Sequence, residues 1–147
     1  MYNIIIYGEE KHMRIMAVDY GKKRVGVAIS DPLCLISQPL LTLNVESDKE
    51  LIKRLKYIIT ENNVGLIIIG TPLSHRGKST NMSDEIGRFT KRLKRQIDIE
   101  IKLWDERFTS KYALNILKDM GLQGQKDKND QIAASIMLEE YLKTQST

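Results

Sequence analysis

Little in this sequence suggests export, redox chemistry or a zinc site. Its 147 residues contain one cysteine, three prolines and two histidines. The single Cys34 cannot close an internal disulfide, which suits a reducing compartment. Neither His12 nor His75 sits in a recognisable cysteine-enzyme signature, so Cys34 reads as a small core residue. Both histidines lack Cys or His partners at zinc spacing, which argues against a zinc site. Long hydrophobic runs are missing as well. Leu66-Ile67-Ile68-Ile69 falls far short of the ~20 apolar residues of a membrane span. Residues 1–12 lack the apolar stretch and small-residue cleavage site of a secretory signal. A cytoplasmic protein without a membrane partner is expected. Repeats, low-complexity tracts and a Pro/Gly-rich linker are absent too, so residues 13–147 read as a single domain. Residues 1–12 fall outside that plan, and Met13 would be a natural start. They read as an N-terminal extension or the product of a misplaced start codon.

What is present is an ordinary globular composition, 41% hydrophobic and 29% charged, long enough to bury a sizeable core. The net charge of +4 is too mild to argue for nucleic acid by itself. Its distribution says more. Lys22-Lys23-Arg24, His75-Arg76-Gly77-Lys78 and Lys91-Arg92-Leu93-Lys94-Arg95 are local basic clusters able to neutralise phosphates. For any one of them, a solvated loop or helix face is the competing reading.

The hydrophobic pattern predicts an α/β chain. Met13 to Asp19 and Arg24 to Ser30 read as strands joined by a short glycine-containing hairpin, Tyr20 to Lys23. Pro39 to Val45 is a third strand, with Pro39 at its start, where a missing donor is tolerated. Ser47-Asp48-Lys49-Glu50 is a capping box, and Leu51, Ile52, Leu55, Ile58 and Ile59 follow at helical spacing. Val64 to Ile69 is a nearly continuous apolar run, typical of a strand covered on both faces. A helix is expected from near Asn81 to about Arg95, with Ile86, Phe89 and Leu93 inward. Ile97, Ile99, Ile101 and Leu103 alternate with polar residues in a last strand that ends at Trp104-Asp105-Glu106. Thr109 or Ser110 can cap a short helix stopped by Gly121. Gln123 to Asn129 reads as a polar loop, and Asp130 as the opening of a final helix. The order implies an antiparallel three-strand meander followed by strand-helix crossovers, hence a mixed sheet.

Acids end up in suggestive places. Asp19 closes the first strand, and Asp105 and Glu106 close the last. If those strands run parallel, their carboxyl ends share the edge where open α/β sheets bind ligands. The loop before Asp130 can bring that residue to the same edge. Carboxylates gathered in one crevice repel, and a hard divalent cation resolves the repulsion. Magnesium takes oxygen ligands, keeps several waters and accepts substrate phosphate. Two ions roughly 4 Å apart could activate water and stabilise the leaving oxygen in phosphodiester cleavage. Singly, each acid has a plainer role: a turn for Asp19, a helix cap for Asp130, an ion pair for Asp105 or Glu106. Their joint placement favours a metal site. The segment from Gly70 to Ser79 looks like a P-loop, but counting back from Gly77 puts Pro72 where the first glycine belongs.

These residues also resemble a known family. Asp19-Tyr20-Gly21-Lys22-Lys23-Arg24-Val25-Gly26-Val27-Ala28 is similar to the D-x-G-x-K-R-x-G-V-A opening of the YqgF family. Its members are described as Holliday junction resolvase-like proteins and as pre-16S rRNA nucleases. Gly70-Thr71-Pro72-Leu73 with Gly77 resembles the family's G-x-P-L loop, and Asp105-Glu106-Arg107-Phe108-Thr109-Ser110 its D-E-R-x-T-S motif. Lys128-Asn129-Asp130-Gln131-Ile132-Ala133-Ala134 resembles the terminal K-x-D-x-x-A-A segment. Actin-like phosphotransferases share a similar opening, but they need two such domains and this chain has room for one. The Leu73 to Gly77 stretch departs from the more usual asparagine- and aspartate-containing loop, which affects substrate contacts rather than chemistry.

The resemblance implies a ribonuclease H-like fold and phosphodiester hydrolysis dependent on Mg2+ or Mn2+. Asp19, Glu106 and Asp130 would be the metal-binding acids, with Asp105 as neighbour or substitute. Lys22, Lys23, Arg24, His75, Arg76, Lys78 and Arg107 are the candidate substrate contacts, and Arg107 could equally lock its motif. Gly21 and Gly26 would allow close backbone packing near the site. The implied partner is nucleic acid. Precursor rRNA trimmed at its 5′ end is the first reading, and branched DNA the second. A module that binds without turnover is the third.

Overall fold

A computed structural model of the chain describes residues 2–6, 9–71, 81–105 and 126–145. Six strands and three helices occur among them: β1 (Tyr2–Ile6), β2 (Glu9–Asp19), β3 (Arg24–Ser30), β4 (Ser37–Asn44), α1 (Asp48–Glu61), β5 (Val64–Thr71), α2 (Asn81–Lys94), β6 (Glu100–Asp105) and α3 (Lys126–Gln145). The principal sheet runs β4-β3-β2-β5-β6. β2, β3 and β4 pair antiparallel, whereas β5 lies parallel to both β2 and β6. This is the expected meander followed by crossovers, and it aligns the carboxyl ends of β2, β5 and β6 along one edge.

Strand alternation splits the core into two layers. Met16, Val18, Val25, Val27, Ile67 and Ile69 point toward α1 and α2 and pack with Leu51, Leu55, Ile86, Phe89 and Leu93. Ile15, Ala17, Ala28, Leu66 and Ile68 point the other way, against Ala134, Met137, Leu138 and Tyr141 of α3. β5 therefore carries apolar side chains on both faces, which explains its unbroken apolar run. At the β6 edge, Trp104 meets Tyr141 edge-on at 5.6 Å between ring centroids.

Local chemistry sets the boundaries. Ser47 caps α1 by accepting the Glu50 backbone N–H at 3.2 Å, and the Glu50 carboxylate accepts the Glu46 N–H at 3.0 Å. The serine cap thus forms as the sequence predicts, and Glu50 reaches back as expected, to the residue before the cap rather than to Ser47 itself. β4 begins at Ser37, two residues early, so Pro39 lies inside the strand. It is tolerated there because β4 is an edge strand and its register with β3 shifts between Val27 and Ala28, next to the Ala28–Pro39 pair.

Two other expectations differ from the structure. Asp130 does not open the final helix, since α3 already begins at Lys126 and includes part of the expected loop. Lys126-Asp127-Lys128-Asn129 contains no glycine or proline, so nothing local stops the helix from extending backward. Residues 2–6 form β1, which among the described residues pairs with Glu9 to Met13 of β2, whereas pairing with β5 begins at Arg14. The helix expected after Thr109 or Ser110 lies outside the described residues. No helix among the described residues is long and apolar enough to cross a membrane.

Candidate active site

Asp19 is the last residue of β2, and its ladder partner across the hairpin is Gly26 of β3. Alternation places Asp19 on the same face as Ile15 and Ala17, the face covered by α3. Gly26 lies on that face too. A methyl group at Gly26 would collide with the Asp130 carbonyl and with the Gln131 backbone nitrogen. The absent side chain therefore lets the α3 backbone rest directly on the strand pair, and Asp130 sits on the same patch of sheet as Asp19.

Arg24, two residues before Gly26 and on the same face, fixes the orientation of Asp130. Its Nε donates to Asp130 Oδ2 at 2.8 Å, a charge-assisted bond between half-buried side chains. Next to Asp130, the Asn129 side-chain oxygen is buried without a hydrogen-bond partner among the described residues. A buried oxygen of this kind is uncommon in folded proteins. The hairpin that turns Asp19 toward the site is tight. A methyl group at Gly21 would strike the Arg24 carbonyl, so glycine suits this turn. Lys22 and Lys23 are exposed at its tip, and Lys22 pairs with Glu85 at 3.1 Å.

Asp105 ends β6 in register with Thr71 of β5. Trp104 packs in the α3 layer and Ile101 against the α1–α2 layer, so alternation puts Asp105 on the side opposite Asp19. The structure thus places Asp19 and the Asp130 backbone on one patch of sheet, while Asp105 falls on the other face at the same edge. Glu106, Arg107, His75, Arg76 and Lys78 lie outside the described residues. Among the described residues, no group of three His, Cys, Asp or Glu side chains could hold a metal ion.

On the α1–α2 side, Tyr20 stacks obliquely on Phe89 and donates its hydroxyl to Asp48 at 2.7 Å. Burial, then the hydrogen bond and charge of Asp48, push the phenol well above its ordinary value, so it stays a donor. This contact and the Arg24–Asp130 pair carry no local sequence signal; the latter joins residues 106 positions apart.

The mixed sheet with helices on both faces is the ribonuclease H-like fold. Two solved structures share the fold. The Fowlpox virus resolvase, solved with its Holliday junction DNA, matches at TM-score 0.59 and 14% identity over 92% of this chain and 100% of that one. The T. thermophilus RuvC structure with Holliday junction substrate matches at TM-score 0.56 and 12% identity over 90% and 96%. Sequence likeness is much stronger elsewhere. The family model for RuvX, described as a Holliday junction resolvase, matches residues 13–144, and the chain belongs to that family. Relatives named "Putative pre-16S rRNA nuclease" include one from Thermoanaerobacter pseudethanolicus, 40% identical over 90% of this chain and 98% of its own. Another, from Rickettsia typhi, is 37% identical over 94% and 87%.

Proposed function

We propose that this protein is a divalent-metal-dependent nuclease that hydrolyses phosphodiester bonds and trims the 5′ end of precursor 16S rRNA in the cytoplasm. The carrying observation is the convergence of Asp19 and Asp130 on one patch of sheet, made possible by Gly26. Two carboxylates, with the Asn129 oxygen that has no hydrogen-bond partner among the described residues, would offer an all-oxygen donor set of the kind that suits Mg2+ or Mn2+. Asp19, Asp130 and Glu106 would hold the ion, with Asp105 as a neighbour. When bound, such an ion supplies Lewis acidity toward a phosphate oxygen and a nucleophilic water at neutral pH.

The chain's own residues do the rest. Asp19 is anchored by a central strand and cannot swing away from the site. Arg24 holds the Asp130 carboxylate in place and offsets part of the repulsion between the two acids. Lys22 and Lys23, at the hairpin tip beside Asp19, would meet the phosphates of an arriving strand. His75, Arg76, Lys78 and Arg107 would add to that contact.

The names of the sequence relatives favour precursor rRNA as substrate. The family description and the junction-bound fold neighbours favour branched DNA as the second reading. Cleavage of a precursor 16S rRNA leader and of a four-way DNA junction, compared in magnesium and in manganese, separates them. Asp19→Asn and Asp130→Asn are expected to bind but not cut. A wild-type protein that binds either substrate and cleaves neither would sink the nuclease reading.

A further inference from the structure

On the sheet face opposite α3, helices α1 and α2 flank an open groove of about 810 Å³. Its walls carry Lys49, Lys53 and Lys56 from α1, and Arg92 with nearby Arg95 from the end of α2, against a single acid, Glu50. All five cations are exposed. Glu50 is already engaged by the Glu46 N–H in the capping box. Arg92 has Asp48 at 3.6 Å, while the other four cations make no ion pair among the described residues. Like charges gathered along one groove repel, and a polyanion would relieve that repulsion.

Two further observations indicate which polyanion. Tyr57 follows Lys53 by one helical turn and is 68% exposed, an aromatic ring on the rim of the lysine row. Basic side chains beside an exposed aromatic suit a single strand, whose phosphates pair with the cations while a base stacks on the ring. The groove also runs toward the hairpin that follows Asp19. Ser47 and Arg92 line both this groove and a smaller hollow of about 270 Å³ that holds Tyr20 and Lys22 of that hairpin; of the three acids there, Asp48 and Glu85 are paired with Arg92 and Lys22, and Arg88 shares the hollow with Glu46.

We propose that the α1–α2 groove is a second binding track, which holds the backbone of single-stranded RNA that extends beyond the cleavage edge. The proposal rests on the nuclease reading and adds a determinant of substrate length and affinity. An acidic protein segment is the rival occupant. Ile52 is the single apolar residue among the described residues that line the groove, too little for the aromatic and aliphatic anchors that dominate protein interfaces, and the groove runs toward the hairpin after Asp19.

The test is equilibrium binding of the wild-type chain, in EDTA, to a single-stranded RNA long enough to reach from Lys22 to Lys56, over a range of salt. The variant Lys49→Gln, Lys53→Gln, Lys56→Gln, Arg95→Gln is expected to bind more weakly. Its slope of log affinity against log salt should be shallower by about 3, from four lost phosphate contacts. The double variant Lys53→Gln, Arg95→Gln should show about half that change, and Tyr57→Ala a loss of about tenfold in affinity. Melting temperatures close to wild type would confirm that these surface changes leave the fold intact. Slopes and affinities equal to wild type would overturn the proposal, as would failure of the wild type to bind RNA. So would a polyglutamate peptide that competes as well as RNA does. Cleavage with an unchanged slope defeats the groove alone, whereas salt-sensitive binding without cleavage defeats the nuclease reading alone.

Discussion

The Asp130 carbonyl rests against Gly26, with no room between them for a side chain. Because Gly26 is the ladder partner of Asp19, this one contact sets the distance between an acid on a strand and an acid on a helix. Gly26→Ala is therefore expected to push α3 off the sheet near Asp130. The neighbour that must move is backbone, so the cost should reach about 1–3 kcal/mol, as for overpacked cores. Thermal unfolding should register the loss, and cleavage should fall more steeply than the fraction folded. Full activity in Gly26→Ala would show that the Asp19–Asp130 spacing is not critical.

Asp19→Asn separates chemistry from folding. The substitution keeps the shape of the side chain and removes one of two neighbouring negative charges. Cleavage should disappear, while the melting temperature without metal should equal or exceed that of wild type. Added magnesium should raise the melting temperature of wild type through binding to the native state, and that rise should vanish in the variant. EDTA should abolish wild-type cleavage reversibly. A variant that fails to fold would assign Asp19 a structural role.

Much of this arrangement was legible in the sequence, because strands and caps leave local marks. The alternation in β2, the unbroken apolar run of β5 and the Ser47–Glu50 capping box each depend on residues close together in the chain. Placing Asp19 at a shared carboxyl edge needed only the direction of three strands. The ion pair of Arg24 with Asp130 was not legible, since a long-range contact has no periodicity to betray it. Alternation alone puts Asp105 on the face of Ile101, but which helix layer covers that face is a matter of tertiary packing that the local pattern does not carry. β1 was missed because its partner is the amino-terminal extension of β2, which pairs with neither β3 nor β5.

On the proposed reading, Arg24 both orients the Asp130 carboxylate and would compete with a metal ion for it. In Arg24→Gln the loss of a half-exposed ion pair should cost no more than about 1 kcal/mol of stability. Its effect on metal should run the other way. With one positive charge gone, the site is more negative, and the half-saturating magnesium concentration should fall by about fivefold, the factor that ~1 kcal/mol represents. Magnesium titrations of cleavage in wild type, Arg24→Gln and Arg24→Lys would show this. Arg24→Lys should stay near wild type, because it keeps the charge. A rise in the magnesium requirement of Arg24→Gln would mean that the orienting role of Arg24 outweighs its competition with the ion.

Asp31, just after β3, offers a pH-dependent prediction away from the site. Partial burial pushes its carboxyl upward, but backbone N–H groups of Ile36, Leu35 and Leu33 together outweigh burial and hold it below the usual carboxylate value. Its Oδ1 accepts from Leu35 at 2.7 Å and from Ile36 at 2.8 Å, and its Oδ2 accepts from Leu33 at 3.2 Å, so one side chain closes the β3–β4 turn. A group whose pKa is depressed by folding stabilises the native state above its unfolded pKa. That contribution is lost as pH falls through the folded value. Asp31→Ala should thus cost about 1–2 kcal/mol near neutral pH, as other lost caps and charged hydrogen bonds do. Asp31→Asn should cost less, because the amide oxygen can still accept. The gap between wild type and Asp31→Asn should narrow as pH falls below about 4, where the unfolded carboxyl begins to protonate. Denaturant midpoints measured from neutral to acid pH would follow that convergence. Parallel curves down to the lowest pH at which the protein folds would show that the ionised carboxylate adds nothing to the turn.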